Sequence, residues 1–336
     1  MKRLIRILAG LLLLCSCAQN PVAQPPQGPI IVGYSTSWES TMPDPSLLTH
    51  INYAFGKVQD DFESLYIENP ERLQAVVALK SEFPSLKVSL SIGGWTAGNF
   101  SEMAADAGRR KHFCADCLAA VERYGLDGID MDWEYPTSSE AGISSSPDDT
   151  ENFTLLLKDL REVLGPGRLI TMASKDDAKY VDWESALPYL NFVNVMAYDT
   201  SRPPYHNAGL YKSALTRFTG DEAVKMHLAA GVPREKLVLG IPLYGHGDSK
   251  AFPDYVDFKD FAPGSYVREW DADAMVPYLV GADGVMVFSY EDAQSAALKA
   301  QYILREGLLG AMYWNIEADD STFTLSRAIH DGLMLK

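Results

Sequence analysis

The sequence predicts an α/β chain folded as a closed, parallel (β/α)8 barrel, a TIM barrel, with a short insertion between the seventh strand and its helix. Three observations lead there. Eight short β-rich runs recur along the chain, at residues 30–35, 51–56, 87–92, 128–134, 169–174, 192–198, 237–244 and 310–314. Helical patterns separate most of them, and strand–helix alternation repeated this often argues a parallel barrel. Polar clusters then fall at the C-terminal ends of the runs, where such barrels build their active sites: Ser91 with Gly93, Asp132 with Glu134, Tyr198 with Asp199, then Tyr244 and Trp314.

The 336 residues suffice for one large domain, which we assign to residues 30–336. The segment before it reads differently. Lys2, Arg3 and Arg6 form a positive start, and residues 7–14 form an apolar run too short to span a membrane, so residues 1–16 read as a signal peptide. Leu14-Cys15-Ser16-Cys17 resembles a bacterial lipobox, with Cys17 as the lipid anchor. Residues 17–29 then carry the lipidated Cys and a tether rich in Pro and Gln. At about 3.1 Å per residue such a segment reaches roughly 35 Å if polyproline-like. The expectation is an exported bacterial lipoprotein of the cell envelope. It would sit at the outer membrane, facing periplasm or surface, touch the membrane only through its lipid, and act as a monomer. A formal charge of −16 disfavours phosphate backbones, so no nucleic-acid partner is expected, and it suits a neutral polysaccharide.

Along the barrel, the first two runs carry little beyond β-propensity, although Tyr34 lies near the end of the first. The third closes on Ser91-Ile92-Gly93-Gly94. A helical pattern over residues 102–124 follows and contains Cys114 and Cys117. That pair has too few ligands for zinc, so buried or locally bridged structural cysteines are expected.

The fourth run is the most informative. Asp130, Asp132 and Glu134 alternate strictly, which on a strand points all three to one face, while Met131 and Trp133 point to the other. Large apolar groups on the second face suit a strand buried on both sides, as in a parallel sheet under helices. Close carboxylates cannot all ionise, so at least one should carry a raised pKa, the condition for a general acid near neutral pH. Periodic acids alone would equally suit a solvated edge strand or a divalent-cation site.

Phe153, Leu156, Leu157, Leu160 and Leu164 then recur at helical spacing, with Pro147 and Asp148 before them and Gly165 after. The fifth to seventh runs lead to an insertion at about residues 246–292, where Tyr266-Val267 and residues 285–290 read as small extra strands. Helical patterns at residues 294–305 and 323–329 flank the eighth run.

The segment Asp127-Gly128-Ile129-Asp130-Met131-Asp132-Trp133-Glu134 resembles the D-G-x-D-x-D-W-E signature of the family-18 chitinases. Ser91-Ile92-Gly93-Gly94 and Met196-Ala197-Tyr198-Asp199 resemble its S-x-G-G and M-x-Y-D strand ends. Residues 236–245 and 310–315 resemble its seventh and eighth strands, so the likeness runs in order along nearly the whole barrel.

The resemblance implies a glycoside hydrolase acting on β-1,4-linked N-acetylglucosamine by a substrate-assisted, retaining mechanism, with the sugar's acetamido oxygen as nucleophile. Carried over, Glu134 is general acid and then base. Asp132 holds the acetamido N–H, Asp130 shares its charge from deeper in the barrel, and Tyr198 bonds the acetamido oxygen. Asp199 grips the same sugar, Trp314 stacks under its ring, and Tyr34 and Ser91 support Asp130. Gly93, Gly94, Tyr244 and Trp95 join the expected substrate-binding set, and Trp38 is a further cleft aromatic. No metal or organic cofactor is required by this chemistry.

The same residues suit an endo-β-N-acetylglucosaminidase acting on the chitobiose core of N-glycans. A non-catalytic chitin-binding lectin on this barrel would be expected to lack the acid, and Glu134 is present. This chain departs from the family pattern at residues 170–175, at Thr200-Ser201-Arg202-Pro203, and at His246, which stands where an arginine usually follows Tyr-Gly. The insertion reads as too short for the family's full α+β domain, which implies a shallower, more open cleft.

Overall fold

The computed structural model describes residues 23–335; the expected signal peptide, Cys17 and the first part of the tether lie outside them. Eight parallel strands form the barrel: β1 Ile30–Thr36, β2 His50–Val58, β3 Lys87–Gly93, β4 Gly128–Asp132, β5 Leu169–Lys175, β6 Phe192–Met196, β7 Leu237–Pro242 and β8 Gly310–Trp314. The sheet closes because β1 pairs with both β2 (Val32 opposite His50) and β8 (Ile30 opposite Gly310). Three strands are shorter than the sequence suggests. The ladder of β4 ends at Asp132 rather than Glu134, that of β6 at Met196 rather than Tyr198, and that of β7 at Pro242, Tyr244 belonging to the insertion's sheet. Beyond Met196 the chain turns at once, the Ala197 N–H bonding the Val195 carbonyl at 2.8 Å.

The helices form where side chains close their ends and one face is apolar. On α1 (Pro70–Ala78), the Asn69 side chain accepts from the Arg72 N–H. The single helix expected over residues 102–124 is two, α2 (Phe100–Ala105) and α3 (Ala107–Tyr124). Asp106 is extended between them and its carboxylate accepts from the N–H groups of Gly108 and Arg109, which starts a new helix. Gly125 ends α3 at φ 68°, a conformation that costs glycine nothing. On α4 (Asp149–Leu164), Phe153, Leu156, Leu157, Leu160 and Leu164 are all buried against the sheet, as their spacing predicts. A single turn, α5 (Trp183–Ala186), and α6 (Gly220–Ala229) follow; α7 (Ala293–Glu306) opens on a capping box of Asp292 and Ser295, and α8 (Thr324–Met334) closes the ring. Cys114 and Cys117 are free and buried, so the bridged alternative falls. Burial pushes the Cys114 thiol up to about 12.

The insertion is more ordered than its sequence suggests. It is a five-stranded antiparallel sheet, in the order Val256–Asp257, Tyr244–Gly247, Met286–Ser289, Val276–Val280, Val267–Asp271. Leu279, Val287, Phe288 and Tyr290 give it a small core of its own, with Phe288 stacked on Phe261 at 5.0 Å.

The expected tether is held from Ala23 onward. The Ala23 N–H bonds the Pro188 carbonyl at 2.9 Å, and its carbonyl accepts from Lys236 Nζ at 2.9 Å. The Gln24 carbonyl accepts from Asn191 Nδ2 at 2.7 Å. Lys236 also donates to the carbonyls of Leu187 and Leu190. These partners immediately precede β6 and β7, so residues 23–29 lie under the N-terminal ends of the strands. A Pro- and Gln-rich composition reads as free chain, but its carbonyls here find buried donors.

Candidate active site

The site assembles inside the barrel around Asp130, which is fully buried. Its Oδ2 accepts from the hydroxyls of Tyr34 (β1) and Ser91 (β3), each at 2.8 Å. Its Oδ1 accepts from Thr171 Oγ1 (β5) at 2.5 Å and Asn194 Nδ2 (β6) at 3.2 Å. Burial raises the Asp130 carboxyl pKa, while these four donors favour the ionised form.

Asp132 follows two residues later. It is 4% exposed, and its Oδ1 is buried without a hydrogen-bond partner. Burial, then the charges of Glu134 and Asp130, push its carboxyl well above the usual carboxylate range. Glu134 is half-buried, and burial raises it to about 7, with the charge of Asp199 acting in the same direction. The apolar partner of the motif behaves as expected: Trp133 stacks on Phe100 at 5.3 Å and meets Phe153 edge-on at 5.9 Å. Asp149 fixes the loop beyond, accepting from the N–H groups of Thr137 and Ser146 and from the Ser101 hydroxyl.

Tyr198 is buried, and its hydroxyl meets only a weak acceptor, Met312 Sδ, at 3.7 Å. Asp199 sits in the left-handed region at φ 59°, its N–H donating to Asn207 Oδ1 at 2.7 Å. Its Oδ1 accepts from the Tyr244 hydroxyl at 2.8 Å and from His246 Nε2 at 2.5 Å. Burial would raise the Asp199 carboxyl, but the bonds from His246 and Tyr244 and the nearby Arg202 hold it below its ordinary value.

Trp314 forms one wall, stacked on Phe55 at 5.8 Å and tilted against Tyr34 and Trp38. Glu317, just beyond β8, accepts from Ser35 and Arg72 and so ties the ends of β1 and β8 together. A cavity of about 260 Å³ is lined by Tyr34, Trp38, Phe55, Trp95, Asp132, Glu134, Ala173, Met196, Tyr198, Asp199 and Trp314. It runs into a second space of about 580 Å³, which shares Trp95, Glu134, Met196, Tyr198 and Asp199 and adds Tyr135, Glu140, Lys175, Asp176, Arg202 and Tyr255.

Most of the expected residues therefore meet at one place. Ser91 and Tyr244 lie behind the wall, holding Asp130 and Asp199. Gly93 and Gly94 are in neither lining and are structural instead. A Cβ on Gly93 would stand 2.0 Å from the Asp132 carbonyl oxygen, and Gly94 donates its N–H to that same oxygen at 2.9 Å. Sequence reasoning missed Thr171 and Asn194, although each is a polar residue inside a largely apolar run, which could have marked it. It also missed Phe55, Tyr135, Lys175 and Tyr255. Tyr255 stacks on Tyr244 at 4.3 Å, so the insertion does supply a wall.

Residues 30–319 match the sequence profile described as Glycosyl hydrolases family 18. The chain is 35% identical over 291 residues to Chitinase A1 of Niallia circulans, covering 72% of this chain and 42% of that one. It is 33% identical over 322 residues to Chitotriosidase-1 of Mus musculus, covering 82% and 68%. Among solved structures, a family-18 N-acetylglucosaminidase from Paenibacillus barengoltzii superposes with a TM-score of 0.83 at 35% identity, covering 91% of this chain and 100% of that one.

Proposed function

The chain belongs to family 18 of the glycosyl hydrolases, and from that premise we propose that it cleaves β-1,4-linked N-acetylglucosamine, in chitin or chito-oligosaccharides, by a substrate-assisted retaining mechanism. Asp132 carries the reading. Its buried Oδ1 lacks a partner beside a glutamate raised to about 7. A buried acceptor is costly until something donates to it, and the N–H of a 2-acetamido group would do so.

In this reading Glu134 protonates the leaving oxygen while the acetamido carbonyl oxygen attacks the anomeric carbon. The bond to the leaving group breaks, and a cyclic oxazolinium forms. Asp132 holds the acetamido N–H and balances the positive charge. Tyr198, whose hydroxyl has only a thioether partner, donates to the acetamido oxygen and fixes its angle of attack. Trp314, its plane set by Phe55, stacks against the sugar. The Glu134 carboxylate then takes a proton from water, which attacks from the face the leaving group vacated, so configuration is retained.

The test is an NMR time course on chitin oligomers. The β-anomer should appear first, and deacetylated chitosan or cellulose oligomers should stay intact. Initial α-anomer, or comparable cleavage of those oligomers, overturns the mechanism. The similarity along the whole Paenibacillus barengoltzii N-acetylglucosaminidase favours a second reading, release of single N-acetylglucosamine units, which a product profile from long oligomers would separate from internal cleavage.

Export and lipid attachment at Cys17 belong to the same proposal, supported by the positive start, the short apolar run and the lipobox. Cys17→Ser should move the protein out of the membrane fraction with its turnover intact; membrane retention after a high-salt wash would refute the anchor.

A further inference from the structure

His246 is 2% exposed and stands between two acceptors. Its Nε2 lies 2.5 Å from Asp199 Oδ1, and its Nδ1 contacts the backbone carbonyl oxygen of Asp254. A carboxylate and a carbonyl can only accept, so both ring nitrogens must carry hydrogen for both bonds to form. A neutral imidazole has one N–H; two make it a cation.

The surroundings suit a cation. Asp254 Oδ1 lies 3.7 Å from Nδ1, a second negative group beside the ring. Arg202 is the opposing charge, 3.8 Å from Asp199 Oδ1, but its guanidinium is bonded to Asp254 at 2.7 Å. The ring thus bridges the insertion, through Asp254, to the loop that carries Tyr198 and Asp199.

We propose that His246 is a positioning residue for the hydrolytic reaction: as an imidazolium it holds Asp199 in place and tempers the negative charge that Asp199 casts on Glu134. The inference rests on the reading of Glu134 as the acid. Asp199 is one of the groups that raise Glu134. A cation bonded to Asp199 offsets part of that field, so removing the cation lets Glu134 hold its proton to higher pH.

The sign of the effect makes it testable. In His246→Gln, which keeps a donor but loses the charge, kcat should fall about tenfold or more with KM changed less. The alkaline limb of its pH–rate profile should move up by roughly half a pH unit. His246→Arg, which keeps a cation, should leave the limb where the wild type has it. Asp199→Asn should move it down. Loss of packing alone would lower the rate without moving the limb. A ¹⁵N spectrum of imidazole-labelled protein, assigned with His246→Gln, should show both His246 nitrogens carrying hydrogen at the pH of the rate limb. That measurement needs no substrate, so it stands apart from the hydrolase reading. A bare His246 ring nitrogen at that pH, or a limb that none of the three variants moves, overturns the proposal.

Discussion

Tyr34 Oη lies 2.8 Å from Asp130 Oδ2, joining two residues 96 apart in sequence across the inside of the barrel. Asn194 Nδ2 reaches both, Tyr34 Oη at 3.3 Å and Asp130 Oδ1 at 3.2 Å. With Ser91 and Thr171, five of the eight strands meet at this carboxylate. Asp132 and Glu134 follow it directly on the chain, so the geometry of the acid is set from below.

Asp130→Asn exchanges one accepting oxygen for an NH₂ group facing donors. It should cost about 1–3 kcal/mol of stability and lower kcat more than it raises KM. Thermal melts beside steady-state kinetics check this; a variant as stable and active as wild type would show the network to be dispensable.

Glu134→Gln keeps the shape of the site and removes its acid and base. Turnover should fall by about 10²–10⁴-fold while oligomer binding, read by calorimetry, persists. Near-normal turnover would remove Glu134 from the reaction.

Glu134 has an ordinary value of 4.5 and is raised to about 7 in the folded protein, chiefly by burial. Between those values the folded chain keeps a proton that the unfolded chain has lost. Stability is therefore full below the lower value and declines as pH rises through the upper one. Acid catalysis needs the same proton, so kcat/KM should decline above about 7 as well. Melting temperature against pH should slope less steeply in Glu134→Gln than in the wild type; equal slopes would place the titration elsewhere.

Gly93→Ala should be severely destabilising. Gly93 has φ 130°, and an added Cβ meets the Asp132 backbone oxygen at 2.0 Å. Backbone cannot yield as a side-chain tip can, so the loss should exceed about 3 kcal/mol. Soluble expression and melting temperature give the readout, and a protein melting within a few degrees of wild type would contradict the geometry.

Lys236→Met should free the segment before β1 without touching catalysis. The ammonium donates to the carbonyls of Ala23, Leu187 and Leu190, and its loss strands those of Ala23 and Leu190, since Leu187 still accepts from the Leu190 N–H, at about 1–3 kcal/mol. Limited proteolysis should cut before Ile30 faster than in the wild type at unchanged turnover; an equal cutting rate would mean that other contacts hold the segment.

The barrel was legible because each strand carries its own β-rich run and the covering helices show a 3.6-residue period. Asp130, Asp132 and Glu134 were legible because charge on an apolar strand needs a reason. Two features resisted. Asp106 interrupts a continuous helical pattern because its carboxylate caps a new helix more favourably than it continues the old one. Tyr255 carried no local signal, since its place beside Tyr244 depends on how some fifty residues of antiparallel sheet fold back on the barrel. The departure at His246 was visible in sequence, but its two acceptors came from Asp199 and Asp254, which only the folded insertion brings together.

The seating of Ala23 also gives the molecule a polarity. Ala23 is gripped beneath the strands' starting ends, whereas the catalytic mouth opens where the strands finish. Ala23 itself thus lies on the side turned away from that mouth. The grip of Lys236 and Asn191 on Ala23 and Gln24 puts the point of attachment and the point of contact with an insoluble polymer at opposite ends of the barrel.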